Sequence, residues 1–380
     1  MHSLDWAAWI IGGSWLGMLG ILLRNSSKLE HLPEAPATPS SHGRLCLCMP
    51  ARNEAHAIGD ALDSWLAQDY PDFFILVVDD GSTDGTTEIL KEKSELHSDR
   101  LRVVRNDSLP AGWLGKNHAL HLAVQQPEAL SADWLLFVDA DVHVTPDLLQ
   151  RVFTYLADKP ADILALLFAV DAVGLVERVA VPLAVPGFLV LIPPHQVPNP
   201  RHFAFAGIGA FTLVKRDVYD AVGGHAAAPL EAVDDMMLAR RIKQAGYTNR
   251  LACGGPMLHL RMYRSLLDLV RGMRKNTASL PGWWLIPIAV PLMLASYLSP
   301  LWLPMVGHPL LGFLIWILTP VISGDASQRI TEKPMDWIWI FWPVNGLILA
   351  AGMLWAFWDR VWGVNTWRGR KVVLIGGPRS

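Results

Sequence analysis

Two carboxylates one residue apart, Asp139 and Asp141, close the greasy stretch DWLLFVDADVHV, residues 133–144. Leu135 to Val138 reads as a buried strand of a parallel sheet, and such strands open at their carboxyl ends onto a ligand crevice. Two close carboxylates repel when both are ionised, and a hard divalent cation relieves that repulsion. Mg2+ or Mn2+ takes one or two carboxylates together with the phosphate oxygens of a nucleotide, so the pair fits a metal held against a diphosphate. The competing Asp-x-Asp chemistry, a phosphatase with an aspartyl nucleophile, expects Thr where His143 stands. A second acidic pair, Asp234 and Asp235, precedes a helix with Met237, Leu238 and Ile242 on one face. Acids in a first helical turn also complement the helix dipole, so on residues alone chemistry and capping both remain open.

The elements that must position these acids alternate in type between Arg44 and Tyr263. RLCLCMP is a strand ending at Pro50, AIGDALDSWLAQ a helix, FFILVVDD a strand and GTTEILKEKSEL a helix. LRVVRN, KNHALHLAVQQ and DWLLFVDAD then follow as strand, helix and strand. That alternation predicts βαβ units and an α/β, mostly parallel, Rossmann-like sheet. Polar signals recur at its strand ends: PARNEA at 50–55, DDGSTDGT at 79–86 and then the Asp139/Asp141 pair. One such turn is only a loop, whereas three at corresponding ends mark a site.

The chain has 380 residues, 52% hydrophobic and 18% charged, which is greasier than a typical soluble enzyme. Its tryptophans concentrate at the ends: Trp6, Trp9 and Trp15 in front, and eleven from Trp283 to Trp367. Tryptophan favours membrane interfaces, so the ends read as membrane-bound. Residues 1–26 hold an uncharged run from Trp6 to Leu23, long enough to cross a bilayer. Asp5 precedes it and Arg24 and Lys28 follow, which argues against a signal peptide and puts residue 24 onward in the cytoplasm. Residues 27–43 form a Pro/Ser linker, 266–282 an interfacial helix, and 283–380 a C-terminal membrane region with a basic tail carrying Arg360, Arg368, Arg370 and Lys371. Three apolar stretches there, Trp283–Val306, Pro309–Ser323 and Ile338–Trp358, predict about three transmembrane or re-entrant segments. A further greasy stretch, 179–194, is read as a surface or re-entrant flap, with a buried core segment as the alternative. A net charge of −3 and the absence of a basic stripe exclude a general nucleic-acid binder. Cys46, Cys48 and Cys253 read as reduced thiols, because the neighbourhood offers no partners for zinc.

Together these motifs resemble the family 2 glycosyltransferases of GT-A fold, over about residues 44–265. PARNEA is similar to that family's Pro-Ala-x-Asn-Glu, VVDDGSTDGT to its nucleotide-binding strand end, and GKNHAL to its Gly-Lys-x-x-Ala-Leu. DAD resembles its Asp-x-Asp and DDMMLARRIKQAGY its Glu-Asp-x-x-Leu helix. The resemblance implies a nucleotide-sugar donor, by family likeness a UDP-sugar. It places Asp80, with Asp79 beside it, on the uridine, and Pro50, Ala51, Glu54 and Lys116 around the nucleotide pocket. Asp139 then contacts the ribose or the metal, Asp141 binds the Mg2+ or Mn2+, and Asp235 is the catalytic base with Asp234 before it. The family usually has Glu at the position of Asp234. Where polymer-making members carry Gln-x-x-Arg-Trp, LRMYRS keeps Arg264 alone, so Arg261 and Arg264 either touch the diphosphate or form a basic face toward anionic lipid.

Within that family the chain looks most like the hopene-associated membrane glycosyltransferases, with carotenoid-acid and ceramide enzymes as more distant relatives. The likeness implies an inverting, metal-dependent transfer to a membrane lipid acceptor, hopanoids among the candidates, at the inner membrane of the cell, with a multi-pass chain and a cytoplasmic catalytic domain. Transfer to a polysaccharide is the enzymatic alternative. A polytopic transporter would place charged residues within the spans, and a silent nucleotide-binding protein would have lost one of the acids Asp139, Asp141 and Asp235. If residues 179–194 admit the acceptor, replacing Leu189 and Leu191 with polar residues is expected to weaken lipid transfer more than donor binding. Equal losses in the two assays would identify that segment as core.

Overall fold

The computed structural model describes residues 3–36, 42–180, 184–263, 265–278, 282–362, 366–367 and 370–371. The chain divides into two compact units. One comprises Leu29–Ala169 and Pro194–Leu260; the other comprises Met1–Lys28, Val170–Pro193 and Arg261–Ser380.

The first unit is built on an eight-stranded sheet in the order β3-β2-β1-β4-β7-β6-β8-β5. Its strands are β1 (Leu45–Ala51), β2 (Phe73–Asp79), β3 (Leu101–Arg105), β4 (Trp134–Phe137), β5 (His143–Val144), β6 (Ile163–Val170), β7 (Thr212–Lys215) and β8 (Asn249–Leu260). β3, β2, β1 and β4 run parallel to one another. β7 then pairs antiparallel with both β4 and β6, and β5 antiparallel with β8. The parallel half is the part that the alternating pattern predicts; the antiparallel half comes from pairings distant in sequence, which local periodicity does not encode.

Sequence explains the parallel half directly. β1 and β2 are almost wholly buried, as strands covered on both faces must be. β3, at the edge, fully buries only Leu101 and exposes Arg102 and Arg105. On one face Cys46, Cys48, Leu76, Val78, Leu135 and Phe137 pack against Ala119, Leu120, Leu238 and Ile242 of the covering helices. All three cysteines are buried thiols. The helix Ile58–Leu66 buries Ile58, Ala61, Leu62 and Trp65, a helical stripe of spacing three and four. Trp65 Nε1 donates to Val142 O at 3.2 Å, which ties that helix to the turn carrying Asp141. Within the stretch read as a linker, Glu30 O accepts from Cys253 N at 2.8 Å, and Leu29 and Leu32 are buried. Those residues run beside β8 because their apolar side chains have a surface to cover.

The second unit gathers the apolar segments. Two helices among the described residues are long and apolar enough to cross a membrane, Asp5–Ser26 and Pro309–Thr331. A third candidate is a pair, Trp283–Tyr297 and Ser299–Val306, bent by 57°. The stretch expected at Ile338–Trp358 forms a tight turn, Trp337–Phe341, and a helix, Pro343–Trp362, which ends in Asp359 and Arg360 and falls outside that set. Trp15 Nε1 donates to Thr319 Oγ1 at 2.8 Å, joining the two long helices through buried polar groups. Residues 170–193 belong to this unit, as the helices Leu175–Ala180 and Ala184–Leu191; residues 181–183 of the expected flap lie outside the described residues. Much of the basic tail, Arg368 included, also lies outside them.

Candidate active site

The loops after β1 and β2 form one hydrogen-bonded structure. Asn53 adopts a left-handed backbone, φ 56°, and its Oδ1 accepts from Thr83 N at 2.8 Å. Asn53 N donates to Ser82 Oγ at 3.0 Å, and Glu54 N donates to Thr86 Oγ1 at 2.8 Å. The PARNEA and DDGSTDGT motifs thus hold each other in place, with Pro50 and Ala51 leading into the joint.

Asp79 is fully buried and works inside this joint. Its Oδ1 accepts from Ser82 N at 2.9 Å and its Oδ2 from Thr87 Oγ1 at 2.7 Å, with Arg105 paired to the same oxygen. Burial pushes its pKa upward, but these hydrogen bonds outweigh that effect and hold it below the ordinary carboxylate value. Asp80 is also buried, and its Oδ1 accepts from Asn106 Nδ2 at 2.7 Å while Arg52 lies 3.8 Å from Oδ2. Glu54, 5% exposed, has His56 Nε2 at 3.9 Å from its carboxylate.

Lys116, in the first turn of the helix Gly115–Ala123, gathers the acids. Its Nζ lies 2.8 Å from Asp139 Oδ1 and 3.5 Å from Asp234 Oδ1. Burial disfavours the ammonium, yet the carboxylates of Asp139, Asp234 and Asp235 outweigh it and hold Lys116 protonated well above its ordinary range. The next residue, Asn117, donates from Nδ2 to the carbonyls of Ala228, Pro229 and Glu231, at 3.2, 3.2 and 2.9 Å. The same short helix therefore fixes the chain that leads into Asp234 and Asp235.

A Gly-Ile-Gly stretch completes the wall. A Cβ on Gly209 would stand 2.5 Å from Asp139 Oδ2, and one on Gly207 would stand 2.1 Å from the Asp235 carbonyl oxygen. Gly209 O also accepts from Asp139 N at 2.9 Å. Only glycine allows backbone so close to both acids. Lys116, Gly209, His225, Asp234 and Asp235 line one small cavity with Pro50. Asp235 accepts from its neighbour's Met236 N at 2.7 Å, and burial, reinforced by the charge of Asp234, pushes its pKa up to about 6. His225 is kept neutral by burial, which outweighs the attraction of Asp234 3.8 Å away; its Nδ1 lies 2.8 Å from Tyr219 Oη.

Of the residues singled out in the sequence, Pro50, Lys116, Asp139, Asp234 and Asp235 are thus brought together. Asp141 sits half-buried in the turn between β4 and β5. Arg261 belongs to the other unit, where Glu177 takes its guanidinium at 2.6 and 3.1 Å. Arg264 lies outside the described residues. Sequence reasoning missed Gly207, Gly209, Asn106 and Asn117. The Gly-x-Gly in AFAGIGAF was the one visible signal, since two glycines inside an apolar run mark close backbone approach.

No group of three or more His, Cys, Asp or Glu side chains among the described residues is placed to hold a metal. Asp139 and Asp141 are nonetheless hard oxygen donors of the kind that Mg2+ and Mn2+ take alongside diphosphate oxygens, so the donor chemistry fits such an ion.

An α/β sheet with acids at the parallel strand ends and a glycine-walled acidic cavity defines a GT-A-like domain. Residues 46–223 match the family model described as glycosyl transferase family 2. The fold is similar to that of a mannosyltransferase from Pyrobaculum calidifontis solved with GDP-Man and Mn2+, with a TM-score of 0.56 at 17% identity over 93% of this chain and 98% of that one. Among characterised relatives, beta-monoglucosyldiacylglycerol synthase of Synechocystis is 30% identical over 163 residues, 41% of this chain and 33% of the relative. A 4,4'-diaponeurosporenoate glycosyltransferase of Staphylococcus aureus is 25% identical over 264 residues, 67% of this chain and 66% of the relative.

The raised pKa of Asp235 has a consequence for stability. An acid whose folded pKa exceeds its unfolded one loses stabilisation as pH rises through the folded value. Asp235→Asn is therefore expected to match wild type below about pH 4 and to become more stable by about pH 6 and above. Melting temperature against pH for both proteins checks this; parallel curves would contradict the raised pKa of Asp235.

Proposed function

We propose that the protein is an inverting glycosyltransferase that moves a sugar from a nucleotide-sugar, a UDP-sugar by family likeness, to a membrane lipid of polycyclic, hopanoid-like character. The observation that carries this reading is the position of Asp235, raised to about 6, in one cavity with Lys116 and near Asp139. A base with that pKa is ionised at neutral pH and still accepts a proton, close to the best match for general-base work.

Asp235 takes the proton from the acceptor hydroxyl as its oxygen attacks the anomeric carbon. The bond from that carbon to the diphosphate breaks on the opposite face, and one displacement inverts the centre. Asp139 and Asp141 are the residues that would hold Mg2+ or Mn2+; that ion, when bound, supplies neutralisation of the charge growing on the leaving diphosphate. Lys116 places a fixed positive charge beside Asp139 and Asp234. Asp79 shapes the nucleotide loop from within, while Asp80, Glu54, Pro50 and Ala51 frame the nucleoside.

The lipid acceptor is supported by two long apolar helices and by relatives whose names specify glucosyldiacylglycerol and diaponeurosporenoate chemistry. The protein then lies in the inner membrane with its catalytic unit in the cytoplasm, the side on which Arg24 and Lys28 follow the first span. Membranes carrying the protein, extracted native lipids and radiolabelled UDP-sugars test the reading. Wild type is expected to label one lipid band with Mg2+ or Mn2+ and not with EDTA, and Asp235→Asn to label it at least about a hundredfold less. Label that persists in the variant, or enters only water-soluble material, would contradict the assignment.

A further inference from the structure

Two buried asparagines stand in apolar helices of the second unit. Asn25, near the end of the helix Ser3–Ser26, and Asn345, in the first turn of Pro343–Trp362, are 3% and 4% exposed. Polar side chains in such helices are costly unless they meet a partner, and both meet the same segment. Asn25 Nδ2 donates to Leu189 O at 2.7 Å, and Asn345 Nδ2 donates to Val179 O at 2.9 Å.

Those two carbonyls are chemically distinctive. Val179 lies in the last turn of Leu175–Ala180 and Leu189 in the last turn of Ala184–Leu191. Carbonyls in a last helical turn have no partner within the helix. A carbonyl only accepts, so it fixes which way each amide points. Each asparagine thus caps one helix end of segment 170–193, one from the N-terminal helix and one from the C-terminal helix.

Charged groups hold the same segment at its start. Glu177 grips Arg261 at 2.6 Å, Arg178 lies 2.6 Å from Asp336, and Asp171 lies 3.5 Å from Lys333. Leu175 and Leu191 nevertheless stay 66% and 72% exposed, so the fixed segment shows apolar side chains outward.

We infer that Asn25 and Asn345 are positioning residues for the lipid acceptor: by capping Leu189 and Val179 they set the segment whose outward leucines meet the acceptor's hydrocarbon body. The inference rests on the lipid-acceptor reading above. It extends that reading from the cavity acids to two residues far from them in sequence.

Asn25→Leu and Asn345→Leu keep volume and remove the donor. In the full-length protein in lipid nanodiscs, each is expected to raise the acceptor KM about tenfold, the loss of one buried hydrogen bond, with the donor KM unchanged. Hydrogen exchange of segment 170–193 is expected to quicken by about the same factor, while amides of Pro309–Thr331 stay as in wild type. Wild-type acceptor KM in both variants, with wild-type protein active, would overturn the inference and leave the proposed function standing. If wild-type protein transfers no sugar to lipid, the proposed function falls and exchange alone decides the clamp: unchanged exchange overturns it. Should the leucine variants fail to fold, Asn25→Ser and Asn345→Ser, whose hydroxyls are too short to reach, are read by the same two measurements.

Discussion

Three carboxylates around one ammonium is the arrangement on which the rest of the first unit depends. Asp139, Asp234 and Asp235 raise Lys116 far above its ordinary pKa, while burial, reinforced by the charge of Asp234, lifts Asp235. Ion pairs this close are stable in a folded interior only when geometry is fixed from several sides. The fixing comes from backbone. Asn117 holds the chain before Asp234, and Gly207 and Gly209 bring main chain against Asp235 and Asp139 with no room for a side chain. A group that would ionise readily in water is thereby kept poised near neutrality.

Much of this was legible in residues alone. The strand ends after β1, β2 and β4 carry turn residues and acids at positions that an α/β pattern must place together, and there they lie. What sequence did not disclose is what each acid does for the fold. Asp79 and Asp80 are adjacent and alike in the chain, yet Asp79 is enclosed by Ser82, Thr87 and Arg105, and Asp80 faces Asn106 and Arg52. Only the pairing of two distant loops separates them. Gly207 and Gly209 escaped notice for the same reason, since close approach is a property of tertiary contact. The antiparallel pairing of β7, the run of Glu30 beside β8 and the ion pair that occupies Arg261 likewise join residues far apart in sequence.

The second unit obeys different physics. Its helices are apolar around most of their surface, so polar groups within it are few and each has a partner to find. Trp15 with Thr319, Asn25 with Leu189 and Asn345 with Val179 are three such pairings. Two of the three fall on segment 170–193, which the chain inserts between β6 and the return to β7. Composition marked that segment as greasy. It could not show that the segment is held by amides from both ends of the chain.

The stereochemistry of the first product shows whether the transfer is one displacement with Asp235 as the base. Proton NMR of the anomeric signal, recorded as labelled lipid forms from a donor of known anomeric configuration, reads it without ambiguity. A single displacement yields a product of the opposite configuration to the donor. A product that retains the donor's configuration would require two displacements and a second nucleophile, and would contradict the role given to Asp235.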